Sequence, residues 1–190
     1  MIKQENEITV MLHMTMQEAV QYLEAAGFRT EREFLIHDRY FLPENCDRTR
    51  STLEILNDAV LVRDFGDICT LTYKHKEYDR DGNILSQSST AVAVSGAKEA
   101  GAFLEAIGYR FAFSVRDQAR VMLGSGPGFV LENINDGQYL MLEIEENEQY
   151  RGIDQLIRKL DESGIPYDRS TYFCKKAQLV YDGIYGTEYT

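Results

Sequence analysis

The stretch YLEAAGFRTEREFLIHDRYF from Tyr22 is echoed by FLEAIGYRFAFSVRDQARVM from Phe103. In each, a helix end meets a Gly, an aromatic residue, an Arg and then a strand, and LDESGI from Leu160 begins a third, weaker copy. A chain built this way folds as two similar halves. Thr15 followed by Glu18 is a capping box, and Gly27 closes the apolar periodicity of Ala19, Val20, Tyr22, Leu23 and Ala26, which predicts a helix over 16–26. Two further helices are predicted over 97–107 and 152–163, while the tail STYFCKKAQLVYDG has apolar spacing that fits either state.

The rest of the chain reads as strands. EITVMLHMT alternates strictly, with Glu7, Thr9, Met11 and His13 on one side and Ile8, Val10, Leu12 and Met14 on the other. REFLIHDRYFL, AVLVRDF, ICTLTYKHKEY, ILSQSSTAVAV, RFAFSVRDQARVML, GFVLENI and QYLMLEIEE show β-type alternation too. Turn signals separate several of them: DFGD at 64–67, DRDGN at 79–83 and GSGPG at 124–128. An antiparallel sheet of about eight strands with helices outside must cover its edges or close on itself. The expected fold is therefore α+β: a closed eight-stranded antiparallel β-barrel, or tunnel, with flanking helices and pseudo-twofold halves. A single domain spans 1–190, since 190 residues with 44% hydrophobic content suffice for one core.

Charge narrows the partners. With 20 Lys plus Arg against 31 Asp plus Glu, the net charge of -11 opposes sequence-independent attraction to nucleic acid, so an anion needs a local basic cluster. No run of 18 apolar residues and no signal-like start is present, so neither export nor membrane insertion is expected and the location is taken as cytoplasmic. Cys46, Cys69 and Cys174 are odd in number and far apart, which argues against a disulfide framework or a structural zinc. His13, His37 and His75 lack the spacing of a metal triad.

If the apolar strand faces pack under helices, the polar faces line the interior. Thr70, Thr72, Lys74 and Lys76 then share a face, as do Ser114, Arg116, Gln118 and Arg120, and Glu143 and Glu145 lie together beside Met141. Such rows suit a polyanion bridged by a divalent metal. A polar strand face is also ordinarily just solvated, and Glu143 and Glu145 read equally well as a surface pair. GSGPGF sits between two strands and reads as a hairpin turn rather than a phosphate cradle, and the twelve tyrosines read as strand and core residues.

The order of pieces resembles the CYTH domains, or triphosphate tunnel metalloenzymes, over nearly the whole chain. HDRYFL is similar to the family's Asp-x-Tyr-Phe-Asp strand, and AVLVRDFGDICTLTYK to its paired-Arg and Leu-Thr-x-Lys strands. LEAIGYRFAFSVRDQAR resembles its Leu-Gly-Phe helix end and Lys-x-Arg strand, ENINDGQYLMLEIEE its Glu-Ile-Glu segment, and DRSTY its closing Ser-Tyr. The resemblance implies an eight-stranded tunnel that binds a triphosphate or nucleotide with Mg²⁺ or Mn²⁺, as triphosphatases and adenylyl cyclases of this family do. It assigns Glu7, Glu143 and Glu145 to the metal and Arg63, Lys74, Lys76, Arg116 and Arg120 to phosphate, names no catalytic residue, and is compatible with a homodimer.

The chain departs from the family pattern in several places. In the opening Glu-x-Glu-x-Lys, Glu7 matches but Thr9 and Met11 stand where an acid and a lysine belong. A register through Glu5, Glu7 and Thr9 restores two acids but misplaces the strand relative to Thr15. Leu61 replaces an Arg, Gln118 another, Arg116 stands for Lys, and SQSSTAVAV carries no acid. One ion can still be held, whereas a two-ion mechanism is poorly served. Three outcomes stay open: a divergent metal-dependent phosphohydrolase or cyclase, a tunnel that binds an anion without turnover, and a barrel turned to an apolar or mixed ligand.

Overall fold

The structure, a computed structural model, describes residues 7–78, 84–170, 172 and 174–186. Its helices begin where local chemistry supplies a cap. Thr15 and Glu18 form the reciprocal capping box at the start of α1 (Met16–Ala25), the Glu18 carboxylate accepting from the Thr15 backbone N–H at 2.7 Å. Ser51 and Glu54 make the same box ahead of α2 (Thr52–Asn57), a short helix not expected from the sequence. α3 (Ala97–Ala106) and α4 (Ile153–Glu162) fall where predicted, and the ambiguous tail forms α5 (Lys176–Tyr185).

The internal echo is a geometric repeat. α1 and α3 both end on a glycine in the left-handed region, Gly27 at φ 91° and Gly108 at φ 90°, where a side chain would be strained. Beyond each glycine an arginine turns back on the helix it follows: Arg29 Nη1 donates to Glu24 O at 3.0 Å, and Arg110 Nη1 to Glu105 O at 3.0 Å. The shared Gly-aromatic-Arg tripeptide is thus a C-terminal cap followed by a strand, β2 (Arg29–Pro43) in the first copy and β6 (Tyr109–Leu123) in the second.

With β1 (Glu7–Leu12), β3 (Val60–Phe65), β4 (Ile68–Tyr78), β5 (Ile84–Val94), β7 (Phe129–Ile134) and β8 (Tyr139–Glu145), the strands make one eight-stranded sheet in the order β1-β8-β7-β6-β2-β3-β4-β5. The registered ladders are antiparallel. DFGD and GSGPG are the β3–β4 and β6–β7 turns, and the DRDGN turn lies outside the described residues. Among the described residues no hydrogen-bonded ladder joins β1 to β5, so the closure expected from the sequence is not made by strand pairing. The outer edge of β1 is instead held by backbone groups of Asp168, Tyr172 and Cys174: Thr9 N–H donates to Tyr172 O at 3.2 Å, Cys174 N–H to Thr9 O at 2.9 Å and Asp168 N–H to Met11 O at 2.9 Å.

The chain divides into two compact units, and the division falls inside β2 and β6. One, Ile36–Arg116 with Lys175–Thr190, carries β3, β4, β5, α2, α3 and α5; the other, Glu5–Leu35 with Asp117–Cys174, carries β1, β7, β8, α1 and α4. In the second unit, α1 (Ala19, Val20, Leu23) and α4 (Leu156, Leu160) pack on Ile8, Val10, Leu12, Met122, Phe129, Leu131, Leu142 and Ile144. In the first, Ala100 and Leu104 of α3 pack on Phe41 and Val62. Each core occupies one sheet face, and alternation sends the intervening residues to the other. No helix among the described residues is long and apolar enough to cross a membrane.

Candidate metal and anion sites

In the unit holding β1 and β8, the face away from α1 and α4 is acidic. The ladder sets Glu7 opposite Glu145 and Thr9 opposite Glu143, because Ile8, Val10, Ile144 and Leu142 occupy the helix face. One carboxylate oxygen from each of Glu7, Glu143 and Glu145 lies within 4.8 Å of the others. Three oxygen donors of this kind fit a small hard cation such as Mg²⁺ or Mn²⁺, which fills its remaining positions with water or a phosphate oxygen. The register also fixes Thr9 and Met11 as neighbours of the trio, Met11 facing Met141. Glu132 of β7, opposite Met141, and Asp117 of β6, opposite Ile134, lie on the same face and are buried, and no motif or spacing singles them out.

In the other unit the face away from α3 is cationic. Asp38, 2% exposed, accepts two parallel bonds from Arg63, Nε to Oδ1 at 2.7 Å and Nη2 to Oδ2 at 2.6 Å. Thr70 and Thr72 share a hydrogen bond at 3.2 Å, and Lys74, opposite Ser89, follows them along β4. Burial pushes the Lys74 amine down to a pKa of about 8, and the positive charges of Arg63, Lys76 and Lys176 add to the effect against the pull of Asp38. Asn57 of α2 braces this end of β4 by bonding both backbone groups of Lys76, at 2.7 and 2.9 Å. α5 brings Lys176, and it is seated by Tyr181 against Phe113 (ring centroids 5.7 Å), which in turn stacks on Tyr40 at 4.5 Å. Sequence periodicity could not find Lys176, since its proximity to Lys74 is a tertiary contact of a segment whose state was ambiguous.

Five phosphate ligands were expected, and their placements differ. Arg63, Lys74 and Lys76 gather on one face as anticipated from β3 and β4 alternation. Arg120 shares its strand parity with Met122, sits opposite Leu131 on the helix-bearing face, and pairs with Glu33 at 2.7 Å. Arg116 follows the same parity and is exposed, close enough to His37 to help burial and Arg39 lower the His37 pKa. His37 in turn lies across from Asp64, whose carboxylate accepts from Arg39 at 2.5 Å. On the same side, burial and the carboxylate of Asp64 push the Cys69 thiol up to about 11, so it is a packed thiol and not a nucleophile. Arg120 is therefore on the helix-bearing face of its own unit, and Arg116 lies with His37 and Arg39 in the other.

No protein-family model and no curated protein matches the chain. The fold, however, recurs in solved structures. The PH1012 protein of Pyrococcus horikoshii OT3 superposes with a TM-score of 0.65 at 15% identity, over 93% of this chain and 99% of that one. A Vibrio parahaemolyticus protein described as a "putative adenylate cyclase" gives 0.62 at 15% identity, over 95% and 99%. One from Bacillus halodurans with the same description gives 0.52 at 12% identity, over 91% and 98%. At these identities the likeness shows a shared fold.

Proposed function

We propose that this protein binds a triphosphate-bearing compound or nucleotide together with Mg²⁺ or Mn²⁺. The observation that carries the reading is the crowding of Arg63, Lys76 and Lys176 about the half-buried Lys74 in a chain of net charge -11. Cations gathered on one sheet face suit an anion with several closely spaced oxygens. The carboxylates of Glu7, Glu143 and Glu145 support the metal half of the proposal, and the structural likeness to two proteins described as "putative adenylate cyclase" supports a nucleoside triphosphate as the ligand class. Binding without turnover is a second reading. It is favoured by the bidentate hold of Asp38 on Arg63, which occupies a cation that charge development at a transferring phosphoryl group would use.

The test is thermal unfolding with tripolyphosphate, with and without Mn²⁺. A ligand at a hundred times its Kd stabilises by about 2.7 kcal/mol, which for a chain of this size raises Tm by about 5–10 °C. Glu143→Gln should remove the Mn²⁺-dependent part of the shift and keep the metal-free part. A melting curve unmoved by millimolar tripolyphosphate with Mn²⁺ would sink the reading. Phosphate release, or cyclic nucleotide formation from ATP, separates turnover from binding.

A further inference from the structure

A cleft built without any strand residue lies among residues 48–51, α2 and α5, all within the unit of Ile36–Arg116 with Lys175–Thr190. Its volume of about 310 Å³ falls at the lower end of the range of about 300–1,000 Å³ for small-molecule sites. Ile55, Tyr181 and Tyr185 line it, and Arg48, Arg50 and Asp182 bring charge to it. The half-buried Arg48 is fixed by aromatic groups: Nη1 donates to Tyr181 Oη at 3.0 Å, and the guanidinium carbon lies 5.1 Å from the Tyr185 ring centroid and 5.9 Å from that of Tyr181. Among the described residues it makes no ion pair. Arg50 is committed elsewhere, to the Asp58 carboxylate at 2.5 Å and the Glu54 carbonyl at 2.9 Å. Asp182 is held on the cleft by Thr52, whose hydroxyl donates to Oδ1 at 2.5 Å. We propose that this cleft binds a free α-amino acid with an apolar side chain. Its carboxylate meets Arg48, its ammonium meets Asp182, and its side chain lies against Ile55 and Tyr185.

Charge decides between a zwitterion and a phosphate here. With Arg50 neutralised by Asp58, a ligand meets one uncommitted cation, Arg48, and one anion, Asp182. A phosphate dianion would gain from the first and be repelled by the second, whereas an amino acid satisfies both. The planar guanidinium fork, with a single hydrogen bond spent on Tyr181, suits a carboxylate. An Asp182 carboxylate that accepts from Thr52 retains capacity for an ammonium donor. Because the rings hold Arg48 and Thr52 holds Asp182, little side-chain freedom is lost when the ligand arrives. None of these residues belongs to the anion face of Lys74 or to the acidic trio, so the cleft and the triphosphate reading stand or fall separately.

Equilibrium dialysis of the intact protein against radiolabelled leucine is the test, with unlabelled competitors. Saturable binding is expected. Isocaproate, which lacks the ammonium group, and isopentylamine, which lacks the carboxylate, should each compete at least about tenfold more weakly than leucine, as loss of a hydrogen bond to a charged group implies. Glycine, with no side chain, should compete weakly too, and inorganic phosphate should not displace leucine. Asp182→Asn changes an exposed side chain and keeps an acceptor for Thr52, so the fold is retained. It should weaken leucine about tenfold and leave isocaproate unchanged. Arg48→Gln should weaken both. Absence of saturable leucine binding at millimolar concentration overturns the proposal, as does displacement of leucine by equimolar phosphate. Equal weakening of leucine and isocaproate by Asp182→Asn, or parental leucine binding by Arg48→Gln, also overturns it, and glycine competing as well as leucine removes the apolar contact.

Discussion

Asp38→Asn is the substitution that most sharply separates stability from ligand binding. Asp38 is 2% exposed and holds Arg63 through two bonds of 2.7 and 2.6 Å. The amide keeps the shape and one acceptor but removes the counter-charge. Breaking a fully buried pair from one side costs about 3–5 kcal/mol, whereas an exposed pair is worth about 0–1 kcal/mol. The Arg63 side chain is 28% exposed and can recover some hydration, so a loss of about 2 kcal/mol is expected between those limits. Two-state unfolding in urea should show a lower midpoint at unchanged slope, and Tm should fall by about 4–8 °C. At the same time Arg63 gains freedom to meet an anion, so stabilisation by tripolyphosphate should exceed that of the parent. A stability loss below about 0.5 kcal/mol, or a smaller tripolyphosphate shift, would refute the view that Asp38 restrains a phosphate-binding cation.

Lys74→Met carries a pH signature. The folded-state pKa of about 8 lies below the ordinary value of 10.5, so between them the unfolded chain binds more protons than the native one. The penalty from Lys74 is full below pH 8 and is relieved as pH rises towards 10.5. Urea titrations of the variant should lose that upward slope, gain stability at pH 7 and lose the response to tripolyphosphate. Thr15→Ala should cost about 1 kcal/mol in the same assay by opening the α1 capping box, with no change in that response.

Local chemistry explains most of what the sequence revealed. β4 and β5 begin and end where alternation placed them, and α1, α3 and α4 lie within a residue of their predicted bounds. The Gly27–Arg29 and Gly108–Arg110 echo was legible because a helix cap is built from neighbours in the chain. α2 was missed although Ser51 and Glu54 repeat the Thr15–Glu18 signature, since six residues are too short to display a helical apolar period. α5 stayed ambiguous because its state is decided by Tyr181 on Phe113 and by Thr52 donating to Asp182 at 2.5 Å, contacts that span much of the chain. The grouping of Glu7 with Glu143 and Glu145 was reachable because strict alternation of β1 and β8 leaves their acids one face to share.

β6 shows where alternation stops being informative. It separates Phe113, Val115, Asp117 and Ala119, all buried, from Ser114, Arg116, Gln118 and Arg120, which are half-buried or exposed, but it does not say which set lies under the helices. Reading the polar set of every strand as facing away from the helices is valid for β1 and β8, whose apolar residues meet α1 and α4. In β6 the parity is reversed: Met122, on the polar set, enters the helix-side core with Phe28 and Leu131, and Arg120 beside it turns to Glu33. Within this one strand the helix-bearing side carries both the buried Met122 and the half-buried Arg120, while Ala119 packs on the other side. Arg116→Ala and Arg120→Ala should therefore leave the tripolyphosphate shift in Tm unchanged, while Lys76→Ala reduces it. A drop with either arginine variant comparable to that of Lys76→Ala would mean that β6 presents its cations to the ligand after all, and that parity across the sheet had been misjudged.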